Sequence, residues 1–190
     1  MTITPSRRAT PELKALANLF YLSLDELGEF IEVSPDEIPA AACSLLWHDQ
    51  HMTVTVETCY DGPVDVRVLN THITNTHYSR RIVLTPHRDR SPLASPVVLY
   101  GIVRLSLELL TPEVRREIEV QQTPLGRILI QNNVLRHVRL LSLWRVTPAA
   151  DLSQLFELAS TERCYGRTAL IYCDGLPAVE LLEIVKVAGD

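Results

Sequence analysis

A chain of 190 residues is long enough to bury one substantial core and short for two. Its 46% hydrophobic and 22% charged residues give the balance of a folded globular domain and exclude a disordered or fibrous chain. The net charge of −5 gives no general reason to expect a nucleic-acid or anionic-membrane partner, so an anionic ligand has to be drawn by a local cluster of cations.

The N-terminal residues carry Arg7 and Arg8 but no apolar stretch behind them, which does not read as a secretory signal, and no segment is apolar for long enough to span a bilayer. Thr10-Pro11-Glu12 has the form of an N-cap, a proline at the first helical position and an acidic first turn. Leu13, Leu16, Leu19 and Phe20 then fit one helical face, extendable to Leu24 and Leu27. Ser34-Pro35-Asp36-Glu37 opens a second helix or a turn leading into one, continued by the good helix formers of residues 40–47. Residues 1–44 read as a helical N-terminal extension of one domain spanning 1–190.

The pattern then changes. Residues 52–58 alternate with period two and are rich in β-branched side chains, which predicts a half-buried strand. Asp61-Gly62-Pro63 supplies a turn and residues 64–68 resume the alternation, predicting a hairpin. Further strands are expected over 78–85 and 97–105, with 86–92 as a loop. Thr111-Pro112-Glu113 opens a short helix through Ile118, and Thr123-Pro124 opens another that Asn132-Asn133 can cap. Residues 134–146 form a strand candidate, with 140–144 equally helical by composition. Residues 148–160 hold a helix or turn, and 167–173 with 178–187 form a closing hairpin. Strands that follow one another directly predict an α+β fold: a single antiparallel sheet of about six strands flanked by helices.

Cys43, Cys59, Cys164 and Cys173 are scattered, as expected of reduced, mostly buried thiols in a cytoplasmic protein. His48 and His51 lie three apart without an obvious acidic or cysteine partner, and His72 and His77 flank a polar turn, so no metal site is predicted. Thr123-Pro124-Leu125-Gly126-Arg127 has two readings. It is a well-capped helix start, or an anion site in which free first-turn amides and the helix dipole meet a carboxylate and Gly126 leaves room for its approach.

The segment Thr123 to Arg127, followed by Ile128-Leu129, resembles the helix-start motif of the chorismate pyruvate-lyases. Asp49 to Thr53, Arg80 to Leu84, Pro96 to Gly101, Tyr165-Gly166-Arg167 and Leu182 to Val185 resemble further segments of that family in the same order. The likeness to this family, of which the chain would be a divergent member, covers roughly residues 45–185. It implies a chorismate lyase-like fold and a cofactor-independent carbon–oxygen lyase that eliminates pyruvate from chorismate to give 4-hydroxybenzoate for quinone biosynthesis. Carried over by position, Arg80 pairs with the ring carboxylate, the Leu125 amide donates to it, Met52 lines the pocket, and Glu183 faces the ring hydroxyl and assists proton movement. On that reading Arg80 and Glu183 are catalytic. Arg81 and Glu180 are the rivals of Arg80 and Glu183 on the opposite strand faces, and Arg104, Arg127 and Arg136 are spare cations for a second carboxylate. The resemblance also allows a non-catalytic domain of the same fold that binds or senses a small aromatic carboxylate. Partners on either reading are small molecules, without nucleic acid, membrane insertion, cofactor or metal.

Overall fold

The seven strands form one sheet, antiparallel throughout, in the order β1-β5-β6-β7-β4-β3-β2, with β1–β5 and β4–β7 as its long-range pairs. The computed structural model describes residues 11–87, 95–132, 137–159, 162–173 and 175–187. In chain order these form α1 (Pro11–Ala17), β1 (Gly28–Val33), α2 (Ala40–Leu46), α3 (Met52–Cys59), β2 (Val64–Ile73), β3 (His77–Pro86) and β4 (Leu99–Ser106). There follow α4 (Pro112–Val120), α5 (Leu125–Gln131), β5 (His137–Pro148), α6 (Ala150–Phe156), β6 (Cys164–Cys173) and β7 (Leu176–Val185). The architecture is α+β, a single antiparallel sheet flanked by helices, as the strand pattern predicts.

Helices cover both faces. Leu13 and Leu16 of α1 and Leu152 and Phe156 of α6 pack with Val83, Tyr100, Ile102, Trp144 and Leu182 on one face. On the other, α2 and α3 bury Leu45, Leu46, Met52 and Val56 against Ile82, Leu84 and Leu99. Beside them, α4 and α5 bury Val114, Ile118, Ile128 and Leu129 against Val103, Ile171 and Leu181. These two clusters lie side by side on the same sheet face.

Two elements differ from the sequence expectation. Residues 52–58 are helical, so the predicted hairpin with residues 64–68 does not form; β2 instead pairs with β3. Burial decides it. Met52, Thr53 and Val56 lie inside while Val54 is exposed, a three-to-four-residue period that a strand cannot give. β-Branched residues cost only a few tenths of a kcal/mol each in a helix, whereas burying Met52 or Val56 gains roughly 1.5–3 kcal/mol. The threonines adapt by bonding back one turn, Thr55 Oγ1 to the His51 carbonyl and Thr58 Oγ1 to that of Val54.

The second difference is β1, an edge strand inside the stretch 1–44 that was expected to be wholly helical. Phe30 faces the α1/α6 layer and Val33 the α2/α3 layer, with Ile31 packed beside it. Both faces are covered, so the apolar alternation that advertises a half-exposed strand is missing. Ser34–Glu37 forms a capping box on a single 3-10 turn before α2. Residues 148–160 contain α6, and 140–144 belong to β5 and not to a helix. Most of the expected 86–92 loop, and Asn133 and Arg136, lie outside the described residues.

Candidate functional site

The strands aim a row of alternate side chains at the face under α3 and α5. On β3 these are Tyr78, Arg80, Ile82 and Leu84; on β4 Leu99, Gly101 and Val103; on β7 Leu181, Glu183 and Val185. Gly101 contributes no side chain between Ile82 and Glu183, its register partners on β3 and β7. A cavity opens there, between the two apolar clusters. Met52, Arg80, Leu125 and Glu183 all line it, together with Arg167, His51, Thr53 and Gly126. The centres of water-sized molecules can range over about 50 Å³ of it. That is space for a few waters or one small organic molecule.

Arg80 is the feature that sets the chemistry. It is 1% exposed, and its Nε and Nη1 have no hydrogen-bond partner. Burial lowers the pKa of its guanidinium, while the nearby Tyr78 hydroxyl pulls the other way. That hydroxyl also accepts a 3.1 Å bond from Gln121 Nε2. A buried cation with unfilled donors in the wall of a cavity is costly unless an anion completes it.

Glu183 is differently placed. Its Oε2 accepts a 2.7 Å bond from Nε of Arg167, its cross-strand neighbour on β6, and both side chains are buried. Arg167, which the sequence presents only as part of the hairpin segment Tyr165-Gly166-Arg167, is the hub of this wall. Its Nη1 donates to the carbonyls of Leu46 (3.3 Å) and His48 (3.0 Å), and its Nη2 donates to that of Gln50 (3.3 Å). The bonds fasten the α2–α3 connection onto the sheet. A charged residue in the apolar run of β6 was the available signal.

Strand alternation turns the rival residues away from the cavity. Arg81 faces the α1/α6 layer, where its Nη1 meets Asp151 Oδ2 at 2.6 Å and donates to the Tyr21 hydroxyl at 2.7 Å. Glu180 pairs with Arg104 at 3.1 Å away from the cavity. Arg127 is paired with Glu57 of α3. Thus Arg104 and Arg127, expected as spare cations, are both engaged.

The helix start at residues 123–127 also differs in detail from expectation. Pro124, not Thr123, occupies the N-cap position of α5, and no side chain caps the helix. Leu125 is its first residue and lies in the cavity wall, with an amide that has no acceptor within the helix. Gly126 does not hold space open for a ligand. A Cβ there would sit 2.8 Å from Thr53 Oγ1, so the glycine lets α3 and α5 approach each other. Met52 is buried at the first turn of α3, in the wall. Among the described residues, no three His, Cys, Asp or Glu side chains gather as a metal site needs, and the four cysteines are free thiols.

His48 gives the wall a pH dependence. Its Nε2–H donates to the Leu45 carbonyl at 2.7 Å, while Nδ1 accepts from the Gln50 amide at 3.2 Å and faces Arg167 Nη1 at 3.3 Å. Burial first, then the Arg167 charge, lowers its pKa, with Glu183 opposing. His51 is lowered chiefly by burial. The unfolded chain therefore takes up protons first as pH falls through about 6.5, and the stability held by neutral His48 is lost progressively below that value. Thermal midpoints between pH 8 and 5 should fall on acidification, with a shallower slope in His48→Gln. An unchanged slope in that variant would remove His48 as the cause.

No family model matches the chain, and no curated protein matches it. Its fold is similar to that of PhnF from Mycobacterium smegmatis, at a TM-score of 0.55 and 10% identity, over 72% of this chain and 63% of that one. A possible transcriptional regulator, YydK from Bacillus subtilis, matches at 0.48 and 10% identity over 65% of this chain and 58% of that one. A GntR-family transcriptional regulator from Bacillus cereus matches at 0.47 and 10% identity over 64% and 90%. The chain thus spans less than two thirds of the length of the first two. The sheet and its helices are chorismate lyase-like in fold, which is what the likeness supports. The expectation of a chorismate lyase serving quinone biosynthesis is corrected. The likeness that carries the fold is to PhnF and not to a lyase, and the carboxylate assigned to proton movement, Glu183, is held by Arg167.

No helix is long and apolar enough to cross a membrane among the described residues.

Proposed function

We propose that this chain is a sensor domain that binds a small aromatic carboxylate without transforming it. The observation that carries the reading is Arg80, a buried guanidinium whose Nε and Nη1 lack partners beside a cavity with apolar walls. A carboxylate in the cavity would supply the missing counter-charge and accept from the guanidinium, whose planar fork of donors suits it. The Leu125 amide stands in the same wall and is the natural second donor, while Met52 and the leucines take the ring. Glu183, held by Arg167, serves the shape and polarity of the far wall and not proton transfer.

Benzoate is the direct probe. At a hundredfold excess over its Kd it should add about 2.7 kcal/mol of stability, a rise in thermal midpoint of roughly 5–10 °C for a chain of this size. Gly101→Val should abolish that rise while leaving the fold intact. A Cβ at Gly101 meets Ile82 Cγ1 at 3.4 Å and the Leu182 carbonyl at 3.6 Å, ordinary contacts, so the added methyls project into the ligand space. Incubation with chorismate should release no pyruvate. Absence of any benzoate-induced shift, or the same shift in Gly101→Val, would count against this site.

A further inference from the structure

We infer that the cavity selects a singly charged carboxylate and rejects a second negative charge at its Glu183 end. The inference rests on the carboxylate-binding reading above and concerns the charge balance of the walls. The described arginines in those walls are Arg80 and Arg167. Arg167 is already neutralised by Glu183, and each of its three guanidinium nitrogens donates to the carboxylate or to a backbone carbonyl. Arg80 is therefore the one described cation of the site without an acidic partner.

The two charged features sit at opposite ends. Arg80 is in register with Val103 and Leu181, and Glu183 with Gly101 two residues further along. With β4 between their strands, their Cα atoms lie roughly 12 Å apart by ordinary sheet spacings. Side chains reaching inward leave a span suited to a small molecule with its carboxylate on Arg80 and its other end near Glu183, His51 and Thr53. Those groups can trade hydrogen bonds with a hydroxyl or amide. They have no net positive charge to offer a second carboxylate, which would lose its hydration without compensation. Neither Arg104, on the far side of the sheet with Glu180, nor Arg127, held by Glu57, supplies one. The far end therefore discriminates by charge, through the penalty of an unpaired buried anion.

Matched pairs of ligands test this, each pair differing only by an amide in place of a carboxylate: 4-carbamoylbenzoate against terephthalate, and succinamate against succinate. Calorimetric titration of the intact chain at pH 7.5, with benzoate as reference, should show the amide of whichever pair binds to be at least tenfold tighter than the diacid. Glu183→Gln, which leaves Arg167 uncompensated, should narrow that ratio at least fivefold. If this variant does not fold, the wild-type ratio decides alone. Equal or tighter binding of the diacid would overturn the inference while leaving carboxylate binding intact. Binding of benzoate with all four others excluded would also overturn it, because space and not charge would then do the selecting. Failure of every carboxylate, benzoate included, would overturn both readings together.

Discussion

Arg167→Met should destabilise the fold by about 3–5 kcal/mol, the cost typical of removing one partner from a buried ion pair. For a chain of this size that is a fall in thermal midpoint of roughly 6–20 °C. The loss has two parts. Glu183 is left in a buried site without its cation, and the carbonyls of Leu46, His48 and Gln50 lose their shared donor. The first part can be isolated. Adding Glu183→Leu removes the stranded carboxylate, so the double variant should recover much of the loss, leaving the unpartnered carbonyls as the residue. A second readout follows from position: amide exchange in residues 46–51 should quicken in Arg167→Met more than exchange in α4. A single-variant loss below about 1 kcal/mol, or a double variant no better than the single, would mean that the pair does not organise this wall.

The hub role of Arg167 was hidden for a reason that sequence periodicity cannot overcome. Alternation reports that Arg80 and Arg81, or Glu183 and Glu180, point to opposite faces, but not which face holds the cavity. It does not report which strands become neighbours. β6 lies beside β7 as its hairpin partner, but the carbonyls that Arg167 binds come from residues 46–50, more than a hundred positions earlier in the chain. The same limit explains α3. Its threonines and valines favour extended structure locally, and only the presence of α5 and the sheet makes a helical burial pattern worth more. β1 failed to show for the opposite reason: an edge strand with Phe30 buried on one face and Val33 on the other has no polar side to alternate with. The helix starts at Pro112 and near Pro124 and the strand at β3 were legible because capping and alternation are local properties. Gly126 was visible as a special position but not in its purpose, since the Thr53 hydroxyl that fills its missing Cβ belongs to another helix.

Arg80→Met should raise stability and destroy ligand binding at once, and this opposition of sign separates a binding arginine from a structural one. A structural arginine is recognised by its filled donors. Arg167 is of that kind, and its loss is costly. Arg80 keeps Nε and Nη1 unfilled while almost wholly buried, so the unliganded fold bears a desolvated charge with only the Tyr78 side chain to ease it. An unbranched, shorter thioether removes the charge and fills the space of the arginine stem. Replacing buried charge by packed apolar groups has stabilised other folds by about 1–4 kcal/mol, and a gain towards the lower end of that range is expected here. Binding should move the other way. Two charge-assisted bonds to a carboxylate, at about 1.5–3 kcal/mol each, correspond to a loss of at least a hundredfold in benzoate affinity. Arg80→Lys should fall between, keeping the charge but losing the paired geometry. Urea unfolding and benzoate titration on the same three proteins decide the matter. A destabilised Arg80→Met that still binds benzoate would make Arg80 a structural residue and would take the carboxylate site away with it.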